Sequence, residues 1–326
     1  MTGVIDFRLV SLPGRAERPE TVDLSVTVGT LHLSNPIIAA SGTFGYGVEF
    51  AKIVNLNRLG GLVVKGLSAE PMAGAPAPRL CETASGMVNA VGLQNIGVRA
   101  FVEEKLPILR RYKTAVVANV FGHTVQEYVE VIRVLEDAEG VGSYELNISC
   151  PNVERGGTEF SSDARLTAEV VLAARRAARR PLWVKLAPNP TDIKAFALAA
   201  QDSGADALTV ANTYPALCVD FRSRTAVLGN KTGGLSGPAI KPITLRLVYE
   251  VSQAVQIPVI GLGGIGRPED ALEYIIAGAA AVQVGTAHFI DPRASERLVE
   301  GLEKLCRSIK VCSISSLRGS LAAETH

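Results

Sequence analysis

Neither sign of charge is in excess in this sequence. Lys and Arg number 33 against 32 Asp and Glu, a formal net charge of +1, so no global field recruits nucleic acid or an anionic membrane surface, and any anion must be bound locally. Aromatic residues are scarce: 1 Trp, 7 Tyr and 9 Phe in 326 residues leave few platforms for stacking single-stranded nucleic acid. No segment approaches the ~18 uninterrupted apolar residues of a membrane span. Residues 1–22 carry Arg8, Arg15, Glu17, Arg18 and Glu20 and lack the apolar stretch of a signal peptide or anchor. The 5 cysteines (Cys81, Cys150, Cys218, Cys306, Cys312) are odd in number and widely scattered, which argues against a disulfide framework, and none shows the C-x₂-C spacing of a zinc or iron–sulfur site. We therefore expect a reduced, cytoplasmic protein with no metal site of its own, no membrane and no nucleic-acid partner. Gly and Pro, at 31 and 17, are too few for a fibrous or disordered chain and enough to punctuate many short elements.

What is present is a repeating pattern. Eight short apolar, β-branched runs recur, at Pro36–Ala40, Gly61–Lys65, Ala115–Val120, Ser143–Ser149, Pro181–Leu186, Asp206–Ala211, Ile257–Leu262 and Ala280–Gly285. Patterns with apolar residues near i, i+3, i+4 and i+7 lie between them, for example Val125–Leu135, Leu166–Ala178, Ile193–Ala200 and Ile240–Val251. Continuous apolar strands indicate a parallel sheet buried on both faces. Eight strand–helix units predict a single (β/α)₈ barrel, with 1–22 an N-terminal extension, 23–306 the barrel and 307–326 a tail. The rival, a doubly wound open sheet, normally carries G-x-G-x-x-G after its first strand, where this chain reads Ala40-Ser41-Gly42-Thr43-Phe44-Gly45. Two strand-to-helix connections, Gly66–Gly97 and Thr213–Gly237, far exceed the usual ~2–6 residues and are expected as walls or lids of the face where barrels carry their sites. The basic run Arg175, Arg176, Arg179, Arg180 reads as a solvated helix end.

The seventh and eighth strands end in Gly261-Leu262-Gly263-Gly264-Ile265-Gly266 and Gly285-Thr286. A barrel commonly binds phosphate there, because backbone N–H groups can meet an anion without a Cβ in the way. Such a phosphate belongs to a flavin or to a phosphorylated substrate. Lys65 and Lys185 sit in apolar strand runs and need an anionic or polar partner. Cys150 falls just past the fourth strand, on the rim, where a thiol can serve as general base; none of His32, His123, His288 and His326 is placed to assist it. Asn89 in the first insertion joins Asn119, Asn147, Asn152, Asn212 and Thr213 in a face rich in neutral amides, which suits a planar heterocycle with alternating C=O and N–H groups.

Taken in order and spacing, Pro78-Arg79, Glu82-Thr83, Ser85-Gly86-Met87, NAVGLQN at 89–95, NISCPN at 147–152, VKLAPN at 184–189, ANT at 211–213, GGLSGPAIKP at 233–242, GLGGI at 261–265 and VGT at 284–286 resemble the class 1 dihydroorotate dehydrogenases, specifically class 1B. The resemblance runs from about Val22 to Leu305. It implies FMN held by Ser41, Lys65, Gly66, Asn119, Asn147, Lys185, Ala211, Gly237, Gly263, Gly264, Gly285 and Thr286. It further implies an orotate or dihydroorotate ring against Lys65, Asn89, Ala90, Val91, Gly92, Leu93, Asn147, Asn212 and Thr213, with Cys150 as catalytic base and Lys185 stabilising the reduced ring. In class 1B the electrons pass to NAD⁺ through a partner subunit carrying FAD and a [2Fe–2S] cluster, in a heterotetramer built on a homodimer; the absence of closely spaced cysteines here agrees with a relay on another chain. The alternatives are a class 1A-type fumarate-linked enzyme, a dihydropyrimidine dehydrogenase-like flavoenzyme and a non-catalytic flavin-binding paralogue. The chain departs from the family pattern at Ile96, Ser161 and Ala216, where the family usually has Pro, Gly and Gly. Cys306 and Cys312 lie outside the resemblance.

Overall fold

The computed structural model describes residues 19, 21–148, 160–188 and 191–322. Eight strands, β1 Ile37–Ala39, β2 Gly61–Val63, β3 Ala115–Val120, β4 Ser143–Asn147, β5 Leu182–Lys185, β6 Ala207–Val210, β7 Val259–Leu262 and β8 Ala281–Val284, pair in parallel with their sequence neighbours, and β8 returns to β1 to close a barrel. The strands are buried on both faces almost throughout, which is why they read as continuous apolar runs. They match the expected runs but are mostly shorter by one or two residues at their ends.

Three of the surrounding helices begin where the sequence supplies a side-chain oxygen for an otherwise unpaired N–H group. Thr124 accepts from the Glu127 N–H at the start of Val125–Glu136, Asp163 from Arg165 at Ala164–Ala177, and Asp192 from Lys194 at Ile193–Asp202. The first of these turns Tyr128, Val131, Ile132 and Leu135 onto the barrel. Each such side chain stabilises the fold by about 1.5–3 kcal/mol relative to exposure.

The first crossover departs from the pattern. Between β1 and β2 the chain forms turns and a short 3₁₀ segment, Leu56–Arg58, because Gly42, Gly45 and Gly47 adopt positive φ and interrupt any helix. The last helix, Ala294–Ser308, packs against β1 and this segment and covers the gap.

The two long connections are not irregular loops. Leu80–Thr83 and Gly86–Asn89 from the first, with Tyr214–Leu217 and Thr232–Ser236 from the second, form one four-stranded antiparallel sheet across the barrel mouth. The opposite end is closed by a hairpin, Val26–Val28 with Leu31–Leu33, whose Gly29 lies against Asp206 and whose Leu31 lies against Gly142.

The basic run is only partly a solvated end: Arg176 and Arg179 are exposed, whereas Arg175 and Arg180 are half-buried pins. Arg175 pairs with Asp206 at 2.8 Å, and Arg180 donates to the carbonyls of Leu135 and Ala138 and to the Tyr144 hydroxyl. Among the described residues no helix is long and apolar enough to cross a membrane, and no group of three potential metal ligands converges.

Candidate active site

The strands deliver their last residues to one cavity of about 320 Å³ at the barrel mouth. Register places Asn147 of β4 beside Lys185 of β5, and Lys185 beside Thr209 of β6. Lys185 is only 5% exposed, lines the cavity, and has no carboxylate within ion-pair distance among the described residues. A cation so placed favours an anionic or electron-rich occupant. Lys65 lies two residues beyond β2, half-buried, with its backbone N–H donated to the Gly45 carbonyl at 2.9 Å. Asn119, from β3, donates its Nδ2 to Glu145 at 2.8 Å; its Oδ1 is buried and has no hydrogen-bond partner among the described residues.

The ends of β7 and β8 form the opposite wall. Gly264 has φ +69°, and a Cβ there would lie 2.6 Å from the Lys241 Cβ, so the turn requires glycine on both counts. Asp270 accepts the N–H groups of Gly266 and Arg267 at 3.0 and 2.8 Å and pairs with Lys241 at 2.5 Å, which fixes this turn against the next helix. Burial alone would raise the Asp270 carboxyl, but Lys241 and the two backbone donors outweigh it and hold it below the usual carboxylate range. From β8, the Thr286 hydroxyl donates to Ser236 at 2.8 Å, tying the second glycine turn to the insertion sheet.

That sheet makes the outer wall. The Asn89 amide donates to the Gly234 carbonyl at 3.1 Å, and a Cβ on Gly234 would come within 1.9 Å of the Thr213 hydroxyl. Asn95 holds the segment between them by accepting from the Gly97 N–H at 2.8 Å and donating to the Leu93 carbonyl at 2.9 Å. Ile96 acquires a reason here. Its N–H donates to the Tyr46 hydroxyl at 3.0 Å, a bond that a proline at this position cannot make. Ala216 packs with Cys81, Cys218 and Leu235 around Val88, Ala90 and Leu228.

Every described residue that the resemblance assigns to FMN or the substrate ring lines this cavity: Ser41, Lys65, Gly66, Asn89 to Leu93, Asn119, Asn147, Lys185, Ala211, Asn212, Thr213, Gly237, Gly263, Gly264, Gly285 and Thr286. Ser149, Cys150 and Asn152 lie outside the described residues. Sequence reasoning missed Thr43, Thr232, Gly234 and Ser236, although the last two stand inside the GGLSGP stretch, and Phe289 and Ile290, which no local signal marks. Of the other cysteines, Cys306 is buried on the last helix and Cys312 is exposed. Cys218 hydrogen-bonds with Cys81; that bond first, and burial second, push its thiol up to about 11. His288 follows the β8 turn, packed on Phe44 and within 2.9 Å of the Ser295 hydroxyl. Burial pushes its imidazole down to about 4, against the Gly285 carbonyl and the Asp291 carboxylate.

A wall of glycine turns, an unneutralised lysine and a rim of amides can together accept a phosphate and flat polar rings. Comparison with known proteins narrows that description. The family model for dihydroorotate dehydrogenase matches residues 23–306. The chain is 57% identical over 301 residues (92% of this chain, 99% of the relative) to a Solibacter usitatus protein provisionally named dihydroorotate dehydrogenase A (fumarate). It is 51% identical over 299 residues (92% and 98%) to a Pelobacter propionicus protein named dihydroorotate dehydrogenase B (NAD(+)), catalytic subunit. A Geobacter metallireducens protein of the same name is 50% identical over 299 residues, again 92% and 98%.

Proposed function

This chain belongs to the dihydroorotate dehydrogenase family, and from that premise we propose that it oxidises (S)-dihydroorotate to orotate on FMN held in the barrel mouth, with NAD⁺ as final acceptor through a separate electron-transfer subunit. The observation that carries the flavin is Lys185, a buried cation lining the cavity with no described carboxylate to neutralise it. The cavity residues fit the group in two further respects. The turns at Gly263–Gly264 and Gly285–Thr286 leave backbone room for a phosphate, and the unpartnered Asn119 Oδ1 awaits a donor. FMN bound there would supply a two-electron acceptor for the substrate hydride.

The chain's own residues divide the remaining work. Lys65, Asn89, Asn147, Asn212 and Thr213 offer donors and acceptors for the pyrimidine ring, and the segment Ala90 to Leu93 closes over it. Cys150 takes the C5 proton onto its sulfur. Lys185 offsets negative charge that develops at the ring system during oxidation. The Gly234–Thr213 packing and the Asn89 bond keep the outer wall in place and help exclude water.

The names of the NAD-linked relatives, "catalytic subunit", support a division between this chain and a partner; on this reading the partner would hold the FAD and [2Fe–2S] cluster, in a heterotetramer. A second reading has its own support: the 57% identical relative carries the fumarate name, which would make this chain self-sufficient. Anaerobic addition of dihydroorotate to the purified protein should bleach its flavin. Reoxidation by fumarate, by NAD⁺ alone and by NAD⁺ with the partner subunit then separates the two readings. A folded protein that releases no FMN on denaturation would overturn both.

A further inference from the structure

Beneath the cavity floor lies a carboxylate that the proposed chemistry does not use. Glu145, in the middle of β4, is fully buried. Its oxygens accept from Asn119 Nδ2 at 2.8 Å, from the Thr209 hydroxyl at 2.8 Å and from Gln283 Nε2 at 2.5 Å, so side chains from β3, β6 and β8 converge on it. No cation lies within ion-pair distance of it among the described residues. An unneutralised carboxylate in a barrel interior is costly to keep for packing alone, since an apolar side chain would fill the space without that cost.

Three donors already reach the Glu145 oxygens, which therefore only accept here, so each neighbouring amide turns its NH₂ toward them and its carbonyl oxygen away. The consequence is visible on both amides: Asn119 Oδ1 and Gln283 Oε1 are buried without partners among the described residues. Asn119 belongs to the cavity wall, and its Oδ1 lies 3.0 Å from where a Cβ on Gly66, another wall residue, would stand. Glycine at 66 therefore keeps a side chain out of the space beside that oxygen.

We propose that Glu145 is a positioning residue: it locks the Asn119 amide with its oxygen toward the cavity, so that the floor of the site demands an N–H donor from the ring bound there. This rests on the flavin reading above. The oxidised isoalloxazine ring carries a single N–H, at N3, and the acceptor fixed by Glu145 selects for it. A ring presenting only acceptors at that edge would be rejected, because it would leave Oδ1 buried and unpaired.

The test is proton NMR of the holoprotein reconstituted with ¹⁵N-labelled FMN. In the unsubstituted protein the N3–H resonance is expected to be resolved and protected from exchange. Glu145→Gln sets a donor among three donors and Glu145→Leu removes the acceptor, so both are expected to lose that protection and to bind FMN about tenfold more weakly, the equivalent of one hydrogen bond. Thr209→Val removes a neighbour of the carboxylate without freeing Asn119, so it should leave the N3–H signal as it was; a role in packing alone would disturb it equally. If the leucine variant does not fold, the glutamine variant decides. An N3–H that is bound yet unprotected in the unsubstituted protein, or unchanged protection in the Glu145 variants, overturns the proposal. Failure of the protein to take up labelled FMN at all overturns the flavin reading instead.

Discussion

Acidification should destabilise this protein through His288, and the size of the effect follows from where the imidazole sits. His288 is 3% exposed, its ring tilted against Phe44 with centroids 4.7 Å apart and against Phe50 at 6.4 Å. Burial holds its folded-state value at about 4, against an unfolded reference of about 6.5. The unfolded chain thus takes up a proton at higher pH than the folded one. Stability from this group is complete above the unfolded value, declines as the pH falls below about 6.5, and is fully lost below about 4. The total is ~3 kcal/mol, of which ~2 kcal/mol is gone by pH 5. Urea unfolding followed by fluorescence of Trp183, the single and fully buried tryptophan, measures it directly at a series of pH values. Other groups titrate over the same range, so the informative quantity is the difference from His288→Gln. That variant should be less stable at pH 8 by about 1–3 kcal/mol, because it loses aromatic packing, yet should show a flatter profile between pH 8 and pH 5 by ~2 kcal/mol. Parallel profiles for the two proteins would refute the assignment.

Other substitutions probe the site itself. Lys185→Gln should keep the fold but slow flavin reduction by dihydroorotate by about 10²–10³-fold in anaerobic stopped flow, the range for loss of one preorganised electrostatic contact. Cys150→Ala should retain FMN and lose about 10²–10⁴ in the same rate, as expected for a missing general base. Gly234→Ala drives a methyl group into the Thr213 hydroxyl, so KM for dihydroorotate should rise more than kcat falls. With its thiol near 11, Cys218 is ~0.1% thiolate at pH 8. Brief iodoacetamide treatment and peptide mapping should therefore find it unlabelled, and Cys81→Ala, which removes the largest cause of that shift, should speed its labelling about tenfold or more.

Much of the cavity was legible because a parallel barrel is built from local units. The residue that ends a strand also faces the mouth, so Lys185, Asn147 and the glycines after β7 and β8 could be placed from their positions in short apolar runs. The insertion sheet was not legible. Its central pairing joins Gly86–Asn89 to Thr232–Ser236, with Asn89 and Gly234 separated by 145 residues, and Gly233 and Gly234 carry no β-forming signal of their own. Close packing against Asn89 and Thr213, not propensity, puts those glycines in a strand. The first crossover misled for the converse reason: the pattern implied a helix, and three positive-φ glycines forbade one.

By itself the sequence determined the barrel and the strand ends that meet at its mouth, since hydrophobic period, strand count and glycine position are properties of short segments; the rest of the predicted cavity wall came from the resemblance to a family. Only the tertiary structure decided how those residues are oriented. It paired the two insertions into one wall, gave Ile96 its bond to Tyr46, turned Arg175 and Arg180 into pins, and set Glu145 among donors from three other strands. Each of these depends on hydrogen-bond partners distant in sequence, and a hydrogen bond is directional: which atom donates is fixed only once the partner is in place.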